Sequence, residues 1–536
     1  MIEKPNWLKE KGYLHISPSL RIGDEWKSYY HLITDKKFIE KYAFYPLIHT
    51  NIIDRKYKKA DEDKHISVGR RHCHTLREND KPEKSNKLRP LHYASHMDAL
   101  VYGYYKEVLN ELYEKKLKEN SNLDSAINAY RKIEISNENK KGKSTIHFAK
   151  EAFDEIKKRG EHDEVCVLTF DLKSFFPSLN HQFLKQKWKW LLGVDELPDD
   201  HYNVFKACTK FRYVLLNDLR VINNTNGKKS GFDESKLANI RKEKGYKCFF
   251  ESNEEFRKKI AEGKLRVYKN PFYSKEKINI GIPQGLPISA LLANLYLYDF
   301  DLKIVNKLVE GTGVYYKRYS DDIVVVCNPN QAEIVENYIY TLVKESKVNI
   351  SENKTEKFIF RNHIYSSKHN DKRLTCFKID KKSNKEIETP LLYLGFEFRG
   401  YNTVIKSANL SRYYRKIISI TKRRCKRAKM VLNKDPQAKK AVFINQIKTL
   451  YNKPLKINDS ERFEKRNLKR IFSRLEKNDR GFYDFMHYSP KNLKKESNYY
   501  SYVKRCCSIF EDENFMKQIR KRKHVVFRCI KKNLNT

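Results

Sequence analysis

The chain of 536 residues has no apolar run near the roughly 18–20 residues that a membrane-crossing helix needs, so no bilayer-spanning helix is expected. Its first residues, Met1 to Trp7, lead into no apolar stretch, so secretion is not expected either. The ten cysteines form no C-x-x-C pair, which argues against zinc ribbons and zinc-bearing nuclease modules. Apart from the adjacent Cys506 and Cys507 they are scattered, as free thiols in a reducing cytoplasm would be. The His72-Cys73-His74 cluster has no second ligand pair at zinc spacing and is read as incidental. No internal repeat is visible. Acids are scarce in the last quarter: residues 406–536 hold 37 Lys and Arg against 11 Asp and Glu, a net of +26.

Positive charge is what the chain has in excess. It carries 110 Lys and Arg against 67 Asp and Glu, a formal net charge of +43. With 40% hydrophobic and 13% aromatic residues it is not a disordered polycation, and its length suggests about three or four domains with a sizeable core. Such a charge repels itself unless a polyanion neutralises it, so nucleic acid is the first partner to consider and an anionic membrane surface the second.

Hydrophobic patterning is clearest before Gly400. Apolar residues from Leu91 to Lys118 recur at helical spacing, and Phe148 to Ile156 reads as another helix. Val165 to Phe170 is a short apolar run rich in β-branched residues that ends at Asp171, the pattern of a buried strand. Residues 288–300 and 331–346 read as helices. Tyr315 to Val326 reads as a hairpin about Ser320-Asp321-Asp322, and Leu391 to Phe396 as one more strand. Strands alternating with helices, with acids at strand ends, predict an α+β fold with helices against an antiparallel sheet.

Asp171, Asp321 and Asp322 carry the chemical argument. Phosphoryl transfer needs charge neutralised on both the attacking and the leaving oxygen, which two Mg²⁺ ions held by bridging carboxylates accomplish. Mg²⁺ takes hard oxygen ligands, few of them from protein, so aspartates from separate strands suit it. A Tyr-x-Asp-Asp string alone arises by chance in about one sequence in ten of this composition, and a turn favours Asp for backbone reasons. Order is what raises its weight: Asp171 first, a glycine-containing loop second, the hairpin third.

These strings resemble the motifs of bacterial reverse transcriptases. Phe170-Asp171-Leu172-Lys173-Ser174-Phe175-Phe176-Pro177-Ser178-Leu179 resembles motif A, and Gly281-Ile282-Pro283-Gln284-Gly285-Leu286-Pro287-Ile288-Ser289 resembles motif B. Tyr316-Lys317-Arg318-Tyr319-Ser320-Asp321-Asp322 resembles motif C, Asn353-Lys354-Thr355 motif D, and Tyr393-Leu394-Gly395-Phe396 motif E. Lys87-Leu88-Arg89-Pro90 and Ala129-Tyr130-Arg131 resemble fingers motifs. The match spans about residues 85–400, and five motifs in order make it specific. The stretch from Arg89 to Asp98 is similar to the retron, abortive-infection and unknown-group enzymes, many of which act in antiphage defence.

The resemblance implies a right-hand polymerase of fingers, palm and thumb. It divides the chain into an N-terminal extension (1–85), fingers and palm (86–400, with an insertion at about 195–275 that contacts RNA or another subunit), and a basic α-helical thumb and C-terminal region (401–536). It implies RNA-directed DNA synthesis from dNTPs with two Mg²⁺ ions, Mn²⁺ being a substitute. Asp171, Asp321 and Asp322 would be catalytic and would hold the metals, with the main-chain carbonyl of Leu172. Phe176 would gate the sugar, excluding a 2′-OH. Gln284 and Gly285 would support the nascent pair, and glycine lets the backbone approach closely. Arg89, Arg131 and Lys87 would meet the triphosphate, since guanidinium forks match phosphate oxygens. Lys354 would protonate or orient the pyrophosphate. For each cation a solvated surface position is the competing reading.

The basic tail adds a helix with Leu410, Tyr413, Tyr414, Ile417 and Ile418 on one side and Arg412, Arg415, Lys416, Lys422, Arg423 and Arg424 supplying cations for a phosphate backbone. Tyr499, Tyr500 and Tyr502 would be core residues or base-stacking platforms. The expected partners are an RNA template in the form of a dedicated non-coding RNA, the DNA product and dNTPs, in the cytoplasm and without a membrane, with homo-oligomerisation left open. The alternatives are template-independent terminal transfer, RNA-dependent RNA synthesis, an intron-maturase-like enzyme, and a non-catalytic scaffold with a relic palm. The intact aspartates argue against the last.

Overall fold

The structure is a computed structural model. It describes the chain apart from residues 1–2, 24, 56–57, 60–71, 74, 79–80, 85, 137, 139–140, 223–228, 352–354, 367–370, 380–385, 438–441, 443–444, 453–471, 489–497 and 535–536. In chain order the elements used below are β1 (Leu47–Arg55), β2 (Asn86–Tyr93), α1 (His96–Lys118), α2 (Thr145–Gly160), β3 (Val165–Asp171), β4 (Arg212–Leu215), β5 (Tyr268–Lys269), α3 (Ser289–Tyr296), β6 (Tyr315–Tyr319) and β7 (Asp322–Cys327). They continue with α4 (Ala332–Glu345), β8 (Glu356–Ser366), β9 (Asp371–Ile379), β10 (Glu386–Glu388), β11 (Leu391–Tyr393), β12 (Phe396–Phe398), β13 (Thr403–Ile405), α5 (Ser407–Lys434), α6 (Tyr499–Phe510) and α7 (Arg522–Leu534).

The centre is a six-stranded sheet in the order β6-β7-β3-β8-β9-β10, antiparallel throughout. Two of its inner strands, β3 and β7, are apolar over most of their length because both faces are covered. In β3, Cys166, Leu168 and Phe170 face one core with α1, α3 and α4, while Val165 and Val167 face a second core with α2. In β7, Ile323, Val325 and Cys327 alternate with Val324 and Val326 in the same way. This is why Val165–Phe170 reads as a continuous apolar run.

The second core also contains Ile417 of α5, Val503 of α6, Val526 of α7, and Phe515 from the segment between α6 and α7. The charge boundary near Gly400 is therefore not a packing boundary: the basic C-terminal helices cover one face of the central sheet. Tyr413 stacks on Tyr499 at a centroid distance of 4.1 Å, and Tyr500 and Tyr502 pack against the same core, so these tyrosines serve packing.

Strand pairing joins two of the expected divisions to the rest of the chain. The N-terminal extension is not separate from the residues after 85, because β1 pairs with β2 across that boundary, Ile48 opposite Tyr93 and Arg55 opposite Asn86. The stretch 195–275 is built into the same sheet: β4 pairs in parallel with β1 and β5 with β4, giving the sheet order β5-β4-β1-β2. Ile16 and Ile48 share a third core with Val214, Ile240, Phe249 and Phe250. The same region meets the C-terminal part of the chain, where Lys242 lies over the Phe482 ring at 4.3 Å and Arg241 over Phe485 at 4.6 Å. The expected strand at 391–396 is two short strands, β11 and β12, because Leu394 (φ +45°) and Gly395 (φ +94°) turn the chain between them.

Candidate active site

β3 and the β6–β7 hairpin bring the backbones of the three aspartates to one end of adjacent strands. Tyr319 pairs with Asp322, leaving Ser320 and Asp321 as a two-residue turn. Ser320 has φ +61°, a left-handed conformation that such turns require and that side chains other than glycine adopt at a cost. Asp322 lies directly opposite Asp171 in the antiparallel register, about 5 Å between Cα atoms. The Leu172 N–H donates to the Asp321 carbonyl at 3.0 Å. Leu172 bridges Ile350 on its other edge, where Ser351 N donates to Asp171 O and Lys173 N to Asn349 O. Leu172 is extended there, so its carbonyl leaves the same edge as its N–H, on the Asp321 side. Asp171 and Asp321 are half-buried and Asp322 exposed. The charge of Asp322 reaches the buried Tyr393, whose hydroxyl is held above the ordinary tyrosine value by burial first and by that carboxylate next.

The glycine-containing loop is bolted to the turn after β3. Ile282 N donates to the Phe176 carbonyl at 2.9 Å, and Gly281 N to the Leu179 carbonyl at 2.7 Å. Gly281 (φ +76°) lies so close to Pro177 that a Cβ would overlap its carbonyl oxygen. Gly285 (φ +120°) lies likewise against the His92 carbonyl and the Leu91 side chain. His92 N in turn donates to the Gln284 carbonyl at 2.8 Å. Phe176 is half-buried, while Gln284 and Gly285 are exposed. Beneath this loop the His92 ring meets His49 at 3.1 Å and is pushed down to about 3, by burial first and by the neighbouring imidazole next.

The cations separate into two groups. Lys87 and Arg89 are exposed on β2 and share a strand face with Leu91, the residue against Gly285. Arg131 does not fit its expected role. Its guanidinium, 4% exposed, forks onto Glu114 and also pairs with Asp124 and the carbonyls of Asp124 and Ile127. A triphosphate would have to break that network, so Arg131 is a structural residue. Lys354 and His74 lie outside the described residues. On α5, Tyr413, Ile417, Thr421, Cys425 and Ala428 are buried at helical spacing. Arg412, Arg415, Lys416, Lys422 and Arg423 are exposed and Arg424 half-buried, with Arg412 3.7 Å from Asp54 of β1.

The sequence reading missed Arg318, a fully buried guanidinium paired with the fully buried Asp301 at 2.6 Å next to the Ser320–Asp321 turn. A signal was present: in β6 it is in phase with the inward-facing Tyr316.

The comparisons with known proteins give the family. The chain belongs to the reverse transcriptase (RNA-dependent DNA polymerase) family, which matches residues 82–398, more than half of its length. No curated protein matches it. Among solved structures, apo telomerase from Candida tropicalis aligns at 12% identity and a TM-score of 0.33, covering 63% of this chain and 50% of that one. Telomerase from Candida albicans, solved with the TWJ fragment of telomeric RNA, aligns at 13% identity and a TM-score of 0.31, covering 60% of this chain and 44% of that one. The chain thus spans about half the length of these telomerases.

Proposed function

We propose that the protein copies a dedicated non-coding RNA into DNA from dNTPs, in bacterial antiphage defence, on a right-hand scaffold. In this reading the six-stranded sheet is the palm, the β5-β4-β1-β2 sheet the fingers and α5 the thumb. The observation that carries it is the register of Asp171 opposite Asp322, with Asp321 one residue beyond and the Gly281–Gly285 loop bonded to Phe176. The defence assignment rests on the resemblance of Arg89 to Asp98 to that subset of enzymes.

The donor set suits a hard divalent cation, since it consists of carboxylates at the ends of adjacent strands with a main-chain carbonyl beside them. Asp171, Asp321 and Asp322, with the Leu172 carbonyl, would hold two Mg²⁺ ions, or Mn²⁺ in their place. Bound there, the ions would neutralise charge on the attacking and leaving oxygens. The chain supplies the rest. Phe176, fixed through its carbonyl to Ile282, presents an aromatic ring where a ribose 2′-OH would collide. Gln284 and Gly285 offer backbone to the nascent pair. Arg89 and Lys87 offer positive charge from β2 for the triphosphate. The exposed cations of α5 grip the template–product duplex.

The test is primer extension with and without RNA, supplied with dNTPs or rNTPs, by the wild type and by Asp171→Asn, together with sequencing of co-purifying nucleic acids. RNA-dependent dNTP incorporation lost in Asp171→Asn, and one recurrent RNA with its complementary DNA, are expected. Extension by Asp171→Asn would refute the metal assignment. Incorporation without RNA would replace the reading by terminal transfer, and incorporation of rNTPs alone by RNA synthesis. Phage protection that survives Asp171→Asn would separate the polymerase from defence.

A further inference from the structure

The Ser320–Asp321 turn is held from outside the hairpin as well as by it. Arg318 is fully buried, and its fork is shared out among three partners. Its Nε and Nη2 donate to Asp301 at 2.8 and 2.6 Å, and Tyr316 donates its hydroxyl to the same carboxylate at 2.6 Å. The remaining nitrogen, Nη1, donates to the Ser320 carbonyl and to Asn294 Oδ1, each at 3.2 Å. Asn294 passes the constraint on, its Nδ2 donating to the Ala129 carbonyl at 2.9 Å. The next residue, Tyr130, is itself left-handed (φ +66°), and its hydroxyl lies 2.9 Å from the Ser320 hydroxyl. Ser320 is therefore gripped at its carbonyl by Arg318 and at its side chain by Tyr130.

The consequence falls on Asp321. The Ser320 carbonyl belongs to the peptide plane before Asp321, and the Asp321 carbonyl, which accepts from Leu172 N, belongs to the plane after it. Both planes are pinned, so the direction in which the carboxylate leaves the backbone is set. The pair adds no net charge beside the aspartates, since Arg318 and Asp301 cancel. A packed apolar pair of similar volume would be at least as stable as a buried ion pair. It could not donate to the Ser320 carbonyl.

We infer that Arg318, oriented by Asp301, and Tyr130 are positioning residues that set the Asp321 carboxylate for metal binding. This rests on the reading of Asp321 as a metal-holding residue.

The experiment compares Tyr130→Phe, Arg318→Lys and the charge-free double variant Arg318→Met/Asp301→Leu with the wild type and Asp321→Asn. Mn²⁺ binding to the protein without nucleotide is followed by electron paramagnetic resonance, alongside kcat, KM for dNTP, RNA affinity and thermal melting. Tyr130→Phe loses one hydroxyl at a 47% exposed residue, so its fold should be intact. We expect it to weaken Mn²⁺ binding and kcat by about three- to tenfold, the worth of one hydrogen bond, with KM for dNTP and RNA affinity within about twofold of wild type. Arg318→Lys, which keeps the charge and loses the fork, should fall further. The double variant should melt near the wild-type temperature and lose about a hundredfold in kcat, as a displaced catalytic group does. Wild-type Mn²⁺ affinity and kcat in Tyr130→Phe and Arg318→Lys, or full activity in a folded double variant, would overturn the inference. If the double variant does not fold, the two single variants decide by the same criteria. Mn²⁺ binding that Asp321→Asn leaves unchanged would instead overturn the underlying metal assignment.

Discussion

Acidification should loosen the part of the molecule that carries the Gln284–Gly285 loop. His15, His92 and His96 are buried, at 0%, 1% and 1% exposure. Burial pushes His15 and His92 down to about 3 and His96 to about 4, from an ordinary 6.5. A smaller contribution comes from His96 on His15 and from His49 on His92. Above pH 6.5 folded and unfolded chains both hold these rings neutral, and the rings do not bias folding. Below it the unfolded chain takes up protons that the folded one refuses, so stability falls, by about 1.4 kcal/mol per pH unit for each ring. Asp98 opposes them. Burial pushes its carboxyl up to about 6 against the hydrogen bonds of Tyr42 and Ser95, so between 6 and the ordinary 3.8 the folded chain is the one that binds the proton. Three rings against one carboxyl leave a loss of about 4 kcal/mol between pH 7 and pH 5. Hydrogen exchange, corrected for its intrinsic pH dependence, reads this segment by segment in a chain too large for a single unfolding transition. Residues 47–55 and 86–105 should lose protection by that amount. His15→Leu/His96→Phe should lose about two thirds of the histidine contribution, by the same linkage. Equal protection at the two pH values, or an undiminished drop in the double variant, would refute the reasoning.

Other outcomes rest on the same geometry. Gly281→Ala and Gly285→Ala each put a Cβ onto a backbone carbonyl in a left-handed conformation. Each should cost about 2–3 kcal/mol and most of the extension activity, and activity within twofold of wild type would contradict the packing of that loop. Phe176→Val should admit rNTPs by at least about tenfold in the ratio of kcat/KM values, while unchanged rejection would remove the gate role. Lys416→Glu/Arg423→Glu on α5 should weaken duplex binding and flatten its dependence on salt, by about 0.9 in the logarithmic slope for each phosphate the helix no longer neutralises. An unchanged slope would place the duplex elsewhere.

Much of the centre was legible because its signals are local. The apolar run ending at Asp171, the hairpin about Ser320–Asp322, and the helices at 289–296 and 332–345 depend on neighbours within a few residues. Less was legible where partners are distant. Strands β8 and β9 carry polar and aromatic residues without clean alternation; β8 is set by pairing with β3 nearly two hundred residues earlier, and β9 by pairing with β8. Arg131 shows the same limit within the site: an arginine in a fingers-like string looks available for phosphate until Glu114 and Asp124 are found beside it.

By itself the sequence determined the family, the order of the motifs, the excess of +26 in the last quarter, and which side of α5 is apolar. These are properties of residue type and spacing, which a helix or strand period converts directly into a face. The tertiary structure alone decided that residues before 86 and within 195–275 complete one sheet, that the basic C-terminal helices close the second face of the central sheet, and that a buried Arg318–Asp301 pair underlies the Ser320–Asp321 turn. Pairing and burial join residues far apart along the chain, and side-chain composition does not name the partner. An arginine reads the same in solvent and in a core until the carboxylate that neutralises it is brought alongside.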